Sequence, residues 1–346
     1  MNANSLRPLL LSTLLANVPA ARASQETDED LDPIVVTATR GPTDSDTGRS
    51  VTVLGPKRVR NTPAGTPEEL LRGIPSVMMR RSDSRGNTPV NQKITLRGVG
   101  EDRTLVLADG VPLNDPFGGW ILWHKVPRSR VSRIEVVRGA VSDLYGSLGM
   151  GGVVQYFTRS SVEQRNVLQS EYGGFDSAGF SLALSTRVGR AGAVVFGDAF
   201  ETNGYHATVE STRGPIDQPV PFQSRNVGVK ADWSLSDRAV LSASAQHYDS
   251  DQTDGTPMTF NRLRILDGSL GLDLATDAGS RWSARLFASR ERLFRDSSRV
   301  NASRTAETPA SFQKIPVSDV GASLVWWRPW GEAHTISAGL DARHTA

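Results

Sequence analysis

From about Ser161 onward, apolar and polar residues alternate at period two, the signature of strands with two unlike faces. Phe180-Leu182-Leu184 is one such series, and Val227-Val229-Ala231-Trp233-Leu235 is a second. Leu270-Leu272-Leu274, Trp282-Ala284-Leu286-Ala288, Val320-Ala322-Leu324-Trp326 and Ile336-Ala338-Leu340-Ala342 continue the pattern. The residues in between are mostly Ser, Asp, Arg, Lys and Gly. The pattern predicts about nine strands, many of roughly 9 to 13 residues. Their connections alternate in length. Tight turns fall at Arg187–Gly192, Ser236–Arg238, Thr276–Ser280 and Arg328–Glu332, and long loops at Glu201–Ser224, Asp249–Asn261 and Asp296–Pro316. Trp233, Trp282, Trp326, Trp327 and Trp330 lie near the tight turns, whereas Phe200, Tyr248, Phe294 and Phe312 lie by the long loops. Short turns at one end, long loops at the other and an aromatic belt at each describe a transmembrane β-barrel. A soluble β-sandwich, the alternative, has less reason to sort its connections by length.

The chain before Ser161 reads differently. Arg7, the apolar run Leu9–Leu15 and the small residues of Ala21-Arg22-Ala23 predict a secretory signal over residues 1–23, cleaved after Ala23. Residues 24–50 are polar, with one apolar island at Ile34-Val35-Val36. Residues 51–160 have the mixed signals of a compact α/β unit. Thr66 as N-cap, Pro67 at N1 and Glu68-Glu69 in the first turn predict a helix start. Short strands are expected at Lys93–Arg97, Thr104–Ala108, Arg133–Arg138 and Gly152–Thr158.

Composition narrows the chemistry. The 346 residues carry 39 basic and 37 acidic side chains, a net charge of +2, which argues against a nucleic-acid partner. Without cysteine there is no disulfide, thiolate nucleophile or cysteine-held metal. The glycine-rich run Gly146–Gly152 lacks the Lys-Ser/Thr pair of a P-loop, no Gly-x-Ser-x-Gly elbow occurs, and the five histidines show no ligand spacing. The expectation is no enzyme, no cofactor and no metal centre. The acidic run Asp249–Gly255 leaves open a divalent ion in an outer loop beside a plain solvated loop.

Five ordered blocks then carry a specific resemblance: Leu70–Val77, Ile94–Gly98, Leu105–Asp115, Arg133–Gly139 and Ser142–Val154. Their order and spacing resemble the plug domain of TonB-dependent outer-membrane receptors. Upstream, Asp32-Pro33-Ile34-Val35-Val36-Thr37-Ala38-Thr39 resembles the TonB box of the same family. The resemblance implies an α/β plug domain (51–160) followed by antiparallel transmembrane β-barrel strands (161–346), lodged in the outer membrane of a Gram-negative type bacterium. The family barrel has 22 strands, of which about nine are present here.

The partners so implied are outer-membrane lipid, a scarce large solute such as a metal chelate, and TonB, which pairs with Ile34, Val35, Val36, Thr37 and Ala38 by strand addition and delivers energy. A ferric siderophore leads the candidate solutes, followed by cobalamin and a glycan fragment. A surface-signal transducer and a soluble secreted β-protein are the readings from other classes. Two outward plug loops are the expected substrate contacts, through Arg85, Asn87, Thr88 and Asn91 in one and Asn114, Phe117, Trp120 and Trp123 in the other. Trp120 and Trp123 could equally pack plug against barrel. Arg97 and Arg138 resemble positions that anchor the plug to barrel carboxylates. Nine strands cannot close around such a plug, and lipid does not tolerate an open edge, so the length implies part of a receptor.

Overall fold

The computed structural model describes residues 50–79, 93–101, 103–141, 145, 149–277, 279–331 and 334–346. The signal, the Ile34–Ala38 segment and the loop with Arg85, Asn87, Thr88 and Asn91 lie outside the described residues. The N-terminal lobe contains β1 (Ser50–Leu54), a short helix α1 (Pro56–Asn61), β2 (Val77–Met79), β3 (Ile94–Leu96), β4 (Thr104–Ala108), β5 (Val111–Pro112), β6 (Val131–Arg138) and β7 (Gly152–Thr158). Five of these strands form a sheet in the order β1-β6-β7-β4-β5, with β4 and β7 parallel. Its core is apolar and closed: Leu71, Ile94, Leu96, Val106, Val131, Ile134, Val136, Val154 and Tyr156 are all fully buried.

The helix expected from Thr66 is a single 3-10 turn, Glu68–Leu71, with Pro67 itself as the capping residue. Pro75 disfavours the α conformation at Ile74, so the chain has no room for a second turn. Glu69 reaches back to accept from the Gly65 N–H at 2.7 Å, and Leu70 and Leu71 are both buried.

The second part is one antiparallel sheet of nine strands in sequence order. These are β8 (Val167–Gly173), β9 (Ser177–Val188), β10 (Ala191–Thr202), β11 (Phe222–Ser236), β12 (Ala239–Gln252), β13 (Phe260–Ala275), β14 (Arg281–Val300), β15 (Glu307–Trp330) and β16 (His334–Thr345). The sheet is a barrel wall that does not close on itself, since β8 and β16 are its two edges. The register puts like residues in rows. Trp233, Leu241, Leu272, Ala284, Leu324 and Leu340 form one row across six strands on the outer face. Lys230, Ser244, Ser269, Phe287, Gly321 and Arg343 form another on the face toward the plug. The apolar face is the exposed one: Leu266 is 58% exposed, Leu270 52% and Leu286 54%. From Leu266 to Leu274 of β13 the strand advances about 26 Å, the height of a transmembrane apolar band.

Two expectations are corrected. The long loop at Asp296–Pro316 is instead a strand extension, because β14 and β15 stay paired from Arg281↔Trp327 to Val300↔Glu307. Tyr248 belongs to no outer belt: it points inward and is 1% exposed.

Candidate functional site: the seam between plug and wall

Asp109 and Gly110 form the two-residue turn between β4 and β5, with φ of 48° and 85°. Asp-Gly is the residue pair such a hairpin favours, since both positions need positive φ. The turn points at the wall. Lys230 of β11 donates to Asp109 Oδ2 at 3.0 Å and to Thr158 Oγ1 at 2.9 Å, while Thr158 N–H donates to Asp109 Oδ1 at 2.9 Å. Arg285 of β14 donates to the Asp109 carbonyl at 3.2 Å and lies along Gly110, where a Cβ would come within 3.3 Å of it. Burial alone would raise the Asp109 carboxyl, but Lys230 and the Thr158 hydrogen bonds outweigh it and hold the carboxyl below its ordinary range.

The plug segment beyond β5 makes a second contact. Asn114 is buried; its Oδ1 accepts from Val106 N–H at 2.8 Å, its Nδ2 donates to Thr104 O at 3.0 Å, and its carbonyl accepts from Arg343 at 3.2 Å. Asp115 Oδ1 accepts from the Phe117 and Gly118 N–H groups at 3.0 and 2.5 Å, shaping the turn that follows. Its other side meets the carboxyl of Glu291 on β14. Lys125 completes the cluster, 2.8 Å from Asp267 and 3.3 Å from Ser289. Burial lifts the Asp115 carboxyl above its ordinary value, against the pull of the two amides and Lys125. Arg130, 7% exposed, stacks 3.7 Å over Phe196 of β10 and donates to Gln246 of β12.

The expected substrate residues separate by burial. Phe117 is 64% exposed and stands edge-on to Trp120. Trp120 packs with Leu122 of the plug against Tyr248, Leu263, Ile265 and Leu293 of the wall. Trp123 is 2% exposed, edge-on to Tyr156 in the plug core. Neither tryptophan offers a face to a ligand in this arrangement, and Asn114 is spent on the backbone of β4. Arg138 bonds to Thr52 Oγ1 at 2.6 Å and Pro75 O at 3.1 Å, both within the plug. Arg97, at φ 52°, lies beside Gly139. Lys125, Arg130, Lys230, Arg285 and Arg343 cross the seam but belong to no motif in the sequence; their signal is a basic residue at the inward phase of a strand, or just after a plug motif.

Beyond the seam, the outer connections are knitted together. Arg304 donates to both oxygens of Asp217, Ile216 N–H donates to Arg304 O, and Gln218 N–H donates to Gly255 O. The Arg304 hydrogen bond holds the Asp217 carboxyl well below the usual range. The acidic run is occupied by neighbouring donors: Arg264 donates to Asp249 at 2.9 Å, Arg262 to Asp251, and the Asn261 amide to Asp254. Among the described residues no group of three or more acids or histidines is placed to hold a metal.

A small apolar-cored sheet seated on the polar face of an apolar-backed wall has the architecture of a plug domain against part of a β-barrel. The sequence profile of the TonB-dependent receptor plug domain matches residues 43–153. The vitamin B12 transporter BtuB of Vibrio vulnificus (strain CMCP6) is 26% identical over 344 residues, 98% of this chain and 54% of its own. The ferric enterobactin receptor of Pseudomonas aeruginosa is 30% identical over 183 residues, 48% of this chain and 24% of its own. The solved siderophore receptor PirA of Acinetobacter baumannii shares the fold with a TM-score of 0.67 at 15% identity, over 85% of this chain and 48% of that one. The chain spans about half the length of the fullest-aligned of these relatives or less. Residues 43–153 match the TonB-dependent receptor plug domain, and the chain as a whole is similar to TonB-dependent receptors, a family of transport receptors.

Proposed function

We propose that the receptor to which this chain belongs sits in an outer membrane and imports a large organic metal chelate, driven by TonB acting on Ile34–Ala38. The observation that carries this reading is the chemistry of the seam. Each part has its own apolar surface, the plug inside and the wall outside, and most of what joins them is charged or polar. Such bonds exchange for water with a small net free-energy change, about 1 kcal/mol each, so a pulled plug can leave the wall without unfolding. Among the described residues, the Trp120 patch is the apolar cluster that spans the seam. Phe117, the exposed aromatic of the second loop, together with Arg85, Asn87, Thr88 and Asn91 of the first, would meet the chelate. Asn114, Trp120 and Trp123 would support that surface from behind, and Arg97 and Arg138 would brace the plug.

Vitamin B12, ferric enterobactin and hemin, named for relatives of this chain, are all metal chelates, which supports that class of cargo. A ferric siderophore is one member; cobalamin is the second reading, favoured by the relative that aligns along nearly all of the chain. The test is uptake of radiolabelled ferric siderophores and cobalamin by cells carrying the native receptor gene or its Val35→Pro variant. Proline removes a main-chain donor from the pairing segment. Uptake should stop in the variant while binding at the cell surface persists. Energy-dependent uptake at the native rate by Val35→Pro would overturn the coupling role.

A further inference from the structure

Beyond the Trp120 patch, toward the long connections, the inward face of the wall turns polar. The row across β11 to β15 that meets the patch reads Ser224, Ser250, Leu263, Leu293 and Ile315. The next row reads Phe222, Gln252, Asn261, Arg295 and Gln313, and Arg295 carries its positive charge. The inward direction of Arg295 follows from β14, where Glu291 and Leu293 are buried on that face and Arg292 is exposed on the other. Leu293 packs on Trp120, and Trp120 stands edge-on to the exposed Phe117. Arg295 is two residues further along β14, about 7 Å, and so lies one row beyond that contact. It is half-buried, yet it makes no hydrogen bond or ion pair with a described residue, and its Nε is shut off from solvent without a protein acceptor. Asp254 feels the Arg295 charge but accepts from Asn261 at 2.9 Å and forms no ion pair with it. The inward arginines lower on the wall differ, since Arg285 holds Asp273 and Arg343 holds Asp319.

A guanidinium drawn partly out of water keeps its charge, and its planar fork fits a carboxylate or phosphate with two parallel hydrogen bonds. Without a carboxylate of its own, it gains most from one that a ligand brings. We propose that Arg295 is a cargo-contacting residue of the wall, binding an anionic oxygen group, carboxylate or phosphate, on the periphery of the chelate. Phe117 packs against the apolar part of the same chelate, and Gln313 flanks the anion with an amide. The assignment rests on the import reading above and adds a requirement to it. A chelate with a neutral periphery gains nothing from Arg295.

Cells carrying the native receptor gene, or its Arg295→Gln, Arg295→Lys or Arg292→Gln variant at equal surface abundance, are assayed for binding of four radiolabelled chelates. These are hemin with its two carboxylates, cyanocobalamin with its phosphodiester, and a ferric hydroxamate in a carboxylate-bearing and a neutral form. The native receptor should bind at least one anion-bearing chelate, and Arg295→Gln should bind that chelate about 20-fold more weakly, the worth of one charge-assisted contact. Arg295→Lys should recover part of the loss, because it keeps the charge without the fork. Arg292→Gln, three residues away on the opposite face, should bind as the native receptor does. Equal affinity of native and Arg295→Gln receptors for the anion-bearing chelate overturns the assignment. So does an equal loss for anion-bearing and neutral chelates, which would give Arg295 a structural role. Binding of the neutral chelate alone by the native receptor overturns Arg295 while the import reading stands. Binding of none of the four overturns the proposed cargo class together with the Arg295 assignment, a failure that the native receptor shows before any variant is compared.

Discussion

The plug and the wall are both β-sheets with alternating apolar positions, yet they bury opposite faces. In the plug, Ile134, Val136, Val154 and Tyr156 are 0% exposed and define an interior. In the wall, Leu266, Leu270, Leu286 and Leu340 are at least half exposed, while Asn226, Glu291 and Asp319 are nearly inaccessible. Period-two alternation therefore fixes which residues share a face but not which face is inside. That second choice belongs to the solvent: water selects the plug's arrangement, and hydrocarbon would select the wall's in the membrane placement proposed above.

The comparison breaks most visibly on substitution. Trp123→Ala empties the plug core where the indole meets Tyr156, and should cost about 3–5 kcal/mol in the plug's urea unfolding transition. Leu286→Ala, an equally apolar residue on the wall, should shift the transition in detergent by no more than about 0.5 kcal/mol. A loss of several kcal/mol at Leu286 would mean that the outer face packs on protein. If Leu286 faces hydrocarbon, Leu286→Arg should cost about 2–4 kcal/mol when folding is measured into vesicles. In plain buffer the same change would be close to neutral for a soluble sheet, so the gap between the two media measures the lipid contact.

The sequence made the wall legible because alternation survives for long stretches and tight turns punctuate it. The nine strands follow the pattern, but β11 to β15 run to 15, 14, 16, 20 and 24 residues, and Arg328–Trp330, expected in a turn, pair with β16 as the end of β15. The exception is instructive. Pro309 and Pro316 read as breakers, yet β15 runs through both. Ser318 N–H points to the β16 side, so Pro316 two residues earlier turns its missing donor away from β14 and leaves the β14–β15 ladder intact. Strand length and neighbour order decide that, and neither is local. The plug is legible as motifs rather than as periodicity, and α1 leaves little trace in the sequence because six residues with one buried side chain, Val59, carry no helical pattern beyond Pro56 at N1. Of the seam, Asp109-Gly110 was visible as a turn. Its partners Lys230 and Arg285 lie 121 and 176 residues away, and only the register of the wall brings them there.

Two aspartates at that seam offer the finest test, because burial acts on both and their partners differ. Asp109 meets Lys230 and sits below its ordinary range, so its contribution is present above the unfolded value of about 4 and is lost as pH falls through the folded value. Asp109→Asn should cost about 1–2 kcal/mol at pH 7, and the difference from the native chain should shrink as pH falls below about 4. Asp115 is raised by burial, against the hydrogen bonds it shares with Gly118 and Glu291, so its contribution is complete below about 4 and fades as pH rises through the folded value. Asparagine there keeps an oxygen for the Phe117 and Gly118 amides and supplies Glu291 with a donor. Asp115→Asn should therefore be neutral or stabilising by up to about 1 kcal/mol at pH 8, where Asp109→Asn is harmful. Urea midpoints of both variants measured from pH 3 to pH 9 should diverge in opposite directions from the native curve. Parallel curves would mean that the plug is held by its apolar patch at Trp120 alone, and that the charged seam is not what seats it.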